Sequence, residues 1–307
     1  MSGILTTLFQ MFALIGLGLA WSLRNPIGVD DATNRKVLSG FVYYLFLPAL
    51  VLEVLWRAPL GAQTARISVS AAAGVLACML VAWLACRVCR ADKRVSGAII
   101  LAAAFPNATY MGLPLLQHTL GPWSRSIAIQ YDLFACTPLL LTVGIMLAAA
   151  FGGAERGHNP ARALLRVPAL WAAAVAVGLN LRGVPVPEWF AGLLHMLGAA
   201  VVPLMLIVVG MALRGGVREV RHLPAVLPVL LIQLGLMPLV VWAVASGVGL
   251  SGDVLVGVVL EAATPSMALG IVLCDRYGLN TGVYAAAMAA TTLASMFTLP
   301  FWFGFAH

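Results

Sequence analysis

Two short segments hold most of the polar chemistry that this chain places within apolar surroundings. The first, Phe105-Pro106-Asn107-Ala108-Thr109-Tyr110-Met111-Gly112-Leu113-Pro114, carries two prolines, a glycine, an amide and a hydroxyl. The second, Glu261-Ala262-Ala263-Thr264-Pro265-Ser266-Met267-Ala268-Leu269-Gly270, carries a carboxyl, two hydroxyls, a proline and a glycine. A proline inside a helix removes one backbone donor and clashes with the preceding turn, so each segment predicts an interrupted helix. A helix restarting beyond such a break exposes unpaired N–H groups and the positive end of its dipole. Two such ends meeting would hold an anion, a carboxylate above all, without any buried cation. Asn107 donates through its amide and Thr109 and Ser266 through hydroxyls. With Pro106 and Pro265 they form the candidate binding set, and Gly112, Pro114 and Gly270 are the candidate hinges. Proline kinks also serve plain packing; two interruptions at matching places are what argue for a site.

Ionisable groups sharpen the picture. Glu261 stands one helical turn before Pro265, on the same face. A carboxylate there would repel an anion unless it carried a proton, which makes Glu261 a candidate for proton coupling. The alternative, a structural residue that is protonated or amide-paired, stays open. Asp132, about a turn inside its helix beside Gln130 and Tyr131, is the second candidate. Glu53, His118 and His195 fall near helix ends, where a solvated or satisfied role is expected. The five cysteines form no disulfide framework, and Cys86-Cys89 lacks the further ligands of a metal site. No cofactor is expected.

These residues need elements to position them, and composition says which kind. Of 307 residues, 62% are hydrophobic and 9% charged, whereas a soluble domain carries about 25% charged residues. A soluble enzyme, a nucleic-acid-binding module and a disordered chain are thereby excluded. Apolar stretches of about 20 residues fall at 4–22, 37–56, 67–86, 95–119, 127–151, 163–181, 189–213, 223–246, 254–274 and 281–305. The first lacks a basic flank and a small-residue cleavage site, so it reads as a helix rather than a leader. Most tryptophans, Trp56 and Trp302 included, stand near span ends as interfacial anchors.

The net charge of +7 follows the same plan. Fourteen of the 18 basic residues lie in the odd-numbered loops, among them Arg24, Arg87, Arg90, Lys93, Arg156, Arg162, Arg218 and Arg221. The positive-inside rule then puts those loops in the cytoplasm and both termini outside. Ten spans so oriented divide into five plus five, and an odd-numbered repeat must be inverted. Proline and glycine features recur between the halves at offsets of about 158–162 residues, pairing Pro106 with Pro265 and Thr137-Pro138 with Thr298-Leu299-Pro300. The predicted organisation is all-α and integral to the membrane: a first repeat over 1–151, a cytoplasmic linker over 152–162 and a second repeat over 163–307, with helices 4 and 9 broken.

The run 106–116, PNATYMGLPLL, resembles the fourth-helix motif of the auxin efflux carrier family, the plant PIN proteins and their bacterial relatives. The stretch 263–279, ATPSMALGIVLCDRYGL, is similar to that family's ninth helix, and Leu47-Pro48-Ala49-Leu50 and Val202-Pro203-Leu204 with Gly210 also fit. The resemblance implies crossing helices that unwind at Pro106 and Pro265, a homodimer built on scaffold helices, and elevator-like movement of the crossover unit. It implies an organic-anion substrate, indole-3-acetate in plants and malonate or other carboxylates in bacteria, with Asn107 as the carboxylate contact. The long hydrophilic loop of the plant carriers is absent, which places the chain among the short members.

Two rival classes are weaker. An intramembrane enzyme would need a nucleophile with a base, a metal motif or a phosphate loop, and no such motif is present. A sodium-coupled carrier resembling the bile-acid symporters would cluster Glu, Gln and Asn beside the crossing, where the sequence offers only Asn107 and Glu261. The expected partners are a small carboxylate and the lipid of the plasma (inner) membrane, with no nucleic acid.

Overall fold

The computed structural model describes residues 2–152, 165–217 and 223–307. Among these residues it is all helical, without strands, and has one isolated antiparallel bridge. A bilayer offers no water to backbone N–H and C=O groups, so apolar runs of this length close their own hydrogen bonds as helices. In chain order these are α1 (Ser2–Arg24), α2 (Asp31–Leu55), α3 (Ala62–Val88), α4 (Lys93–Ala104), α5 (Leu113–Thr119) and α6 (Pro122–Gly152). There follow α7 (Pro168–Leu181), α8 (Glu188–Arg214), α9 (Val226–Gly247), α10 (Gly252–Ala262), α11 (Leu269–Tyr277) and α12 (Thr281–Ala306). Among the described residues, seven helices are long and apolar enough to cross a membrane. The expectation of an all-α integral membrane protein therefore holds.

Several limits shift for local reasons. The second span begins at Asp31, not 37, because the Asp30 carboxylate caps the helix by accepting from the Thr33 N–H at 2.9 Å. Asp31 in turn accepts from the Ser22 hydroxyl (2.6 Å) and pairs with Arg214 (3.0 Å). Arg214 also donates to the Ser22 carbonyl, tying the end of α1 to the start of α2 and the end of α8. The fifth span begins at Pro122 rather than 127, which places Asp132 about two turns beyond Arg125. Trp56 and Trp302 are buried, their indole N–H groups donating to Val184 O (2.9 Å) and Leu234 O (2.7 Å), so both pack inside rather than anchor at an interface. The expected linker beyond Gly152, with Arg156 and Arg162, and the loop residues Arg218 and Arg221 lie outside the described residues.

Four π-helical turns share one cause. Val42–Phe46, Ala108–Gly112, Asp132–Cys136 and Ile232–Leu236 each precede a proline by one residue: Pro48, Pro114, Pro138 and Pro238. In each, the residue before the proline donates its N–H five positions back, as Leu113 does to Ala108 O and Thr137 to Asp132 O. The wider turn gives the ring room beside a carbonyl it would otherwise strike. Pro300 lies inside the uninterrupted α12. Near a helix end one lost bond is tolerated without a wider turn, so Thr137-Pro138 and Thr298-Leu299-Pro300 do not share a backbone conformation.

Buried apolar side chains gather in two clusters. The larger includes Ile4, Val75, Ile100, Val241, Leu260 and Met288, and the smaller includes Leu50, Ala173 and Met205. Helices α6 and α8 contribute to both, with Tyr131 and Leu206 on one side and Ile129 and Met205 on the other. α1 and α8 approach at glycines: a Cβ on Gly18 would collide with the Ile207 backbone, and one on Gly210 with the Ile15 carbonyl. Small residues at such contacts let helices pack by close approach in a medium that gives no hydrophobic drive. Gly210→Val meets backbone rather than a yielding side chain and should destabilise the protein by about 1–3 kcal/mol. Thermal unfolding of the detergent-solubilised variant against the parent tests this, and an unchanged midpoint refutes the close contact.

Candidate functional site

α4 starts at the Asp92 cap, whose carboxylate accepts from the Arg94 N–H at 2.8 Å, and ends at Ala104. Phe105 is extended (φ −117°, ψ 104°), as the residue before a proline prefers. α10 ends at Ala262, and a second irregular stretch runs through Pro265 to Ala268. The two breaks pair with each other. Asn107 N–H donates to Pro265 O at 2.8 Å, Met267 N–H donates to Phe105 O at 3.0 Å, and Pro106 stands opposite Ser266 in the antiparallel bridge. Polar groups freed by one proline are thus satisfied by those freed by the other.

Side chains complete the joint. The Ser266 hydroxyl donates to Ala102 O (2.6 Å), and its N–H donates to Thr291 Oγ1 (3.2 Å). Gln233 Nε2 donates to Thr264 O (2.9 Å), while the Thr264 hydroxyl donates to Glu261 O (2.7 Å). The Tyr284 hydroxyl donates to Met267 O (2.7 Å), and its ring fills the space a side chain at Gly270 would need. Gln233, Thr291 and Tyr284 were not singled out by the sequence. Gln233, the one amide in the apolar run 226–245, carried a readable signal; Thr291 and Tyr284 carried none.

Beyond the first break, the first bonds of the new helix run from Met111 and Gly112 N–H to Asn107 O, at 3.0 and 3.2 Å. The N–H groups of Ala108, Thr109 and Tyr110 are therefore left without intrahelical partners. Beyond the second break, Ile271 N–H donates to Ala268 O at 3.2 Å, leaving Ala268, Leu269 and Gly270 in the same position. Asn107 is buried, and among the described residues its side-chain amide makes no hydrogen bond. Pro114 is the second residue of α5, buried behind the π turn that ends at Gly112.

The carboxyls occupy contrasting settings. Asp132 is half-buried and accepts from two hydroxyls, Thr109 at Oδ2 and Thr137 (2.9 Å) at Oδ1. The π turn Asp132–Cys136 brings Thr137, five residues on, directly over Asp132. Glu261 is fully buried, and among the described residues neither carboxyl oxygen has a partner. It packs against Gly112 so closely that any side chain there would collide with it. Asp132 lies within electrostatic reach of Glu261, as does Tyr131, whose hydroxyl is also buried without a partner. Pro106, Asn107, Thr109, Pro265 and Ser266 thus converge at one joint, with Glu261 and Asp132 beside it.

This geometry belongs to a chain matched along almost its whole length by the family model described as membrane transport protein, over residues 3–163 and 159–303. The chain belongs to this auxin efflux carrier-like family of transporters. It is 27% identical over 307 residues to an uncharacterized transporter of Methanothermobacter thermautotrophicus, covering 96% of each protein. It is 21% identical over 304 residues to the uncharacterized transporter YfdV of Escherichia coli strain K12, covering 96% of this chain and 95% of that protein. Family and relatives are transporters, not enzymes.

Glu53, expected in solvent, is instead held by Arg125 through both carboxylate oxygens (3.1 and 2.9 Å) and by His195 Nδ1 (3.0 Å), with its side chain 15% exposed. Spacing hid this pair, since the partners stand 72 residues apart. Removing one member leaves the other poorly solvated. Arg125→Gln should therefore cost about 1–3 kcal/mol, and the double variant R125Q/E53Q should recover most of it. Thermal melts of both variants check this; equal losses in the two would show that the pair contributes nothing specific.

Proposed function

We propose that this chain is a secondary carrier for a small organic carboxylate, exporting or exchanging it by elevator-like alternating access. The observation that carries this reading is the reciprocal pairing of the two proline breaks. It sets two helix starts with free N–H groups beside Asn107, whose amide makes no hydrogen bond among the described residues, in a stretch of sequence without Lys or Arg. Such donors favour an anion, and a substrate carboxylate would be held by Asn107 and the N–H groups of residues 108–110. Thr109 links that position to Asp132. Pro265 and Ser266 shape the second side, and Gly112, Pro114 and Gly270 let the segments approach.

The wider organisation is part of the same proposal. The seven long helices, the shorter α7 and the two interrupted segments support a count of ten spans. The proposed frame is an inverted repeat of 1–151 and 163–307 joined by 152–162, with helices 4 and 9 crossing. Two apolar clusters meeting along α6 and α8 fit a scaffold and a moving unit. A homodimer in the plasma membrane, with both termini outside, agrees with the charge bias of the loops. Glu261 carries a proton with the anion, consistent with two buried oxygens that no donor meets. A second reading, sodium coupling, gains from Gln233, whose Oε1 is likewise buried and unpartnered near the second break.

Proteoliposomes loaded with labelled malonate, succinate or indole-3-acetate, with and without pH or sodium gradients, test the whole. Uptake or exchange of at least one carboxylate is expected, and Asn107→Ala should lower it about 10- to 100-fold, as loss of a hydrogen bond to a charged group does. Undiminished transport by N107A would remove the site from this position. Glu261→Gln should abolish stimulation by a proton gradient; a preserved pH response with E261Q, or stimulation by sodium alone, would overturn proton coupling through that residue.

A further inference from the structure

A cavity of about 360 Å³ opens where α3 ends and α4 begins, one α4 length away from Asn107. Trp83, Cys86, Arg87, Arg90, Lys93 and Phe151 line it. The Arg87 guanidinium carbon sits 4.8 Å from the Trp83 ring centroid, a cation–π contact that holds the charge at the cavity wall. Arg90 adopts a left-handed backbone (φ 50°), and Ala91 N–H donates to Cys86 O at 3.0 Å. This tight turn folds Arg90 back toward the same space. Among the described residues no carboxylate pairs with Arg87, Arg90 or Lys93. The neighbouring Asp92 is spent on the Arg94 amide.

A second observation concerns the outside of α3. Leu76, Leu80, Leu84 and Val88 recur every fourth residue and are 46%, 55%, 47% and 83% exposed. At 100° per residue this ridge lies beside the face carrying Trp83 and Arg87, and the turn beyond Val88 brings Arg90 to the same cavity. The apolar track thus leads from the middle of a membrane-spanning helix to an unneutralised basic cavity at its end. Free phosphate or a nucleotide would have no use for the track.

We propose that this cavity binds the phosphate headgroup of an anionic phospholipid, with its acyl chains along the α3 ridge. Basic pockets between spanning helices at the membrane surface suit such headgroups. Arg87, Arg90 and Lys93 would neutralise the phosphate, and Trp83 would lie at the headgroup level. The inference needs only that α3 spans the membrane; it does not depend on the transport site, the substrate or the orientation.

Native mass spectrometry of the full-length carrier in neutral detergent tests it, with phosphatidylglycerol and phosphatidylcholine as probes and inorganic phosphate as competitor. Retention of phosphatidylglycerol over phosphatidylcholine is expected. Each charge removed should weaken it about fivefold, so R87Q/R90Q/K93Q should lose most bound lipid while R35Q/K36Q, basic but elsewhere, keeps it. The single variants R87Q and R90Q serve if the triple variant does not purify. Equal retention by the cavity variants overturns the proposal, as does an equal loss with R35Q/K36Q, which would mean diffuse attraction. Complete displacement of the lipid by millimolar phosphate would assign the cavity to the free anion instead.

Discussion

The structure rests on a single constraint: in hydrocarbon, no backbone polar group can be left to water. Most of the chain meets it by staying helical. Two segments do not, and each supplies what the other lacks. The extended residues around Pro106 and Pro265 exchange main-chain hydrogen bonds across 158 residues of sequence. Ser266, Gln233, Thr264 and Tyr284 then donate to four further carbonyls around the breaks. Irregular backbone survives at membrane depth because it is enclosed by other irregular backbone.

The same constraint governs charge. Among the described residues no guanidinium or ammonium bonds to the joint, where the exposed N–H groups of two helix starts supply a positive end that cannot be titrated away. The two carboxyls nearby are treated differently: Asp132 is met by two hydroxyls, while among the described residues Glu261 is met by none and is pressed against a glycine. Ion pairs appear where helices end: Glu53 with Arg125 and His195, Asp31 with Arg214. Charges thus fasten the ends of the bundle, and dipoles shape its middle.

What could be read from the sequence follows from which interactions leave a local mark. Apolar runs and prolines are local, so the helices and both interruptions were visible, as was the place of Asn107, Thr109 and Glu261 beside them; the bond that brings Asp132 to Thr109 was not. Partnership across the fold was not. Glu53 looked solvated because nothing near it in sequence hints at Arg125. Thr137 seemed only part of a Thr-Pro motif until a π turn, caused by Pro138, carried it over Asp132. The cap at Asp30 was not legible, because a cap is recognised only when the helix start is known.

The pairing of the two breaks is made by main-chain atoms. Geometry at the joint therefore constrains backbone shape far more than side-chain identity, apart from the prolines and the small residues that permit close approach. Two chains can keep this frame while exchanging the amide at 107, the hydroxyl at 109 or the carboxyl at 261. Relatives that share little more than a fifth to a quarter of their residues along nearly the whole length would then differ in cargo without differing in architecture. On the proposed reading the joint is a fixed socket with replaceable contacts, and cargo would diverge across the family faster than the helices that carry it.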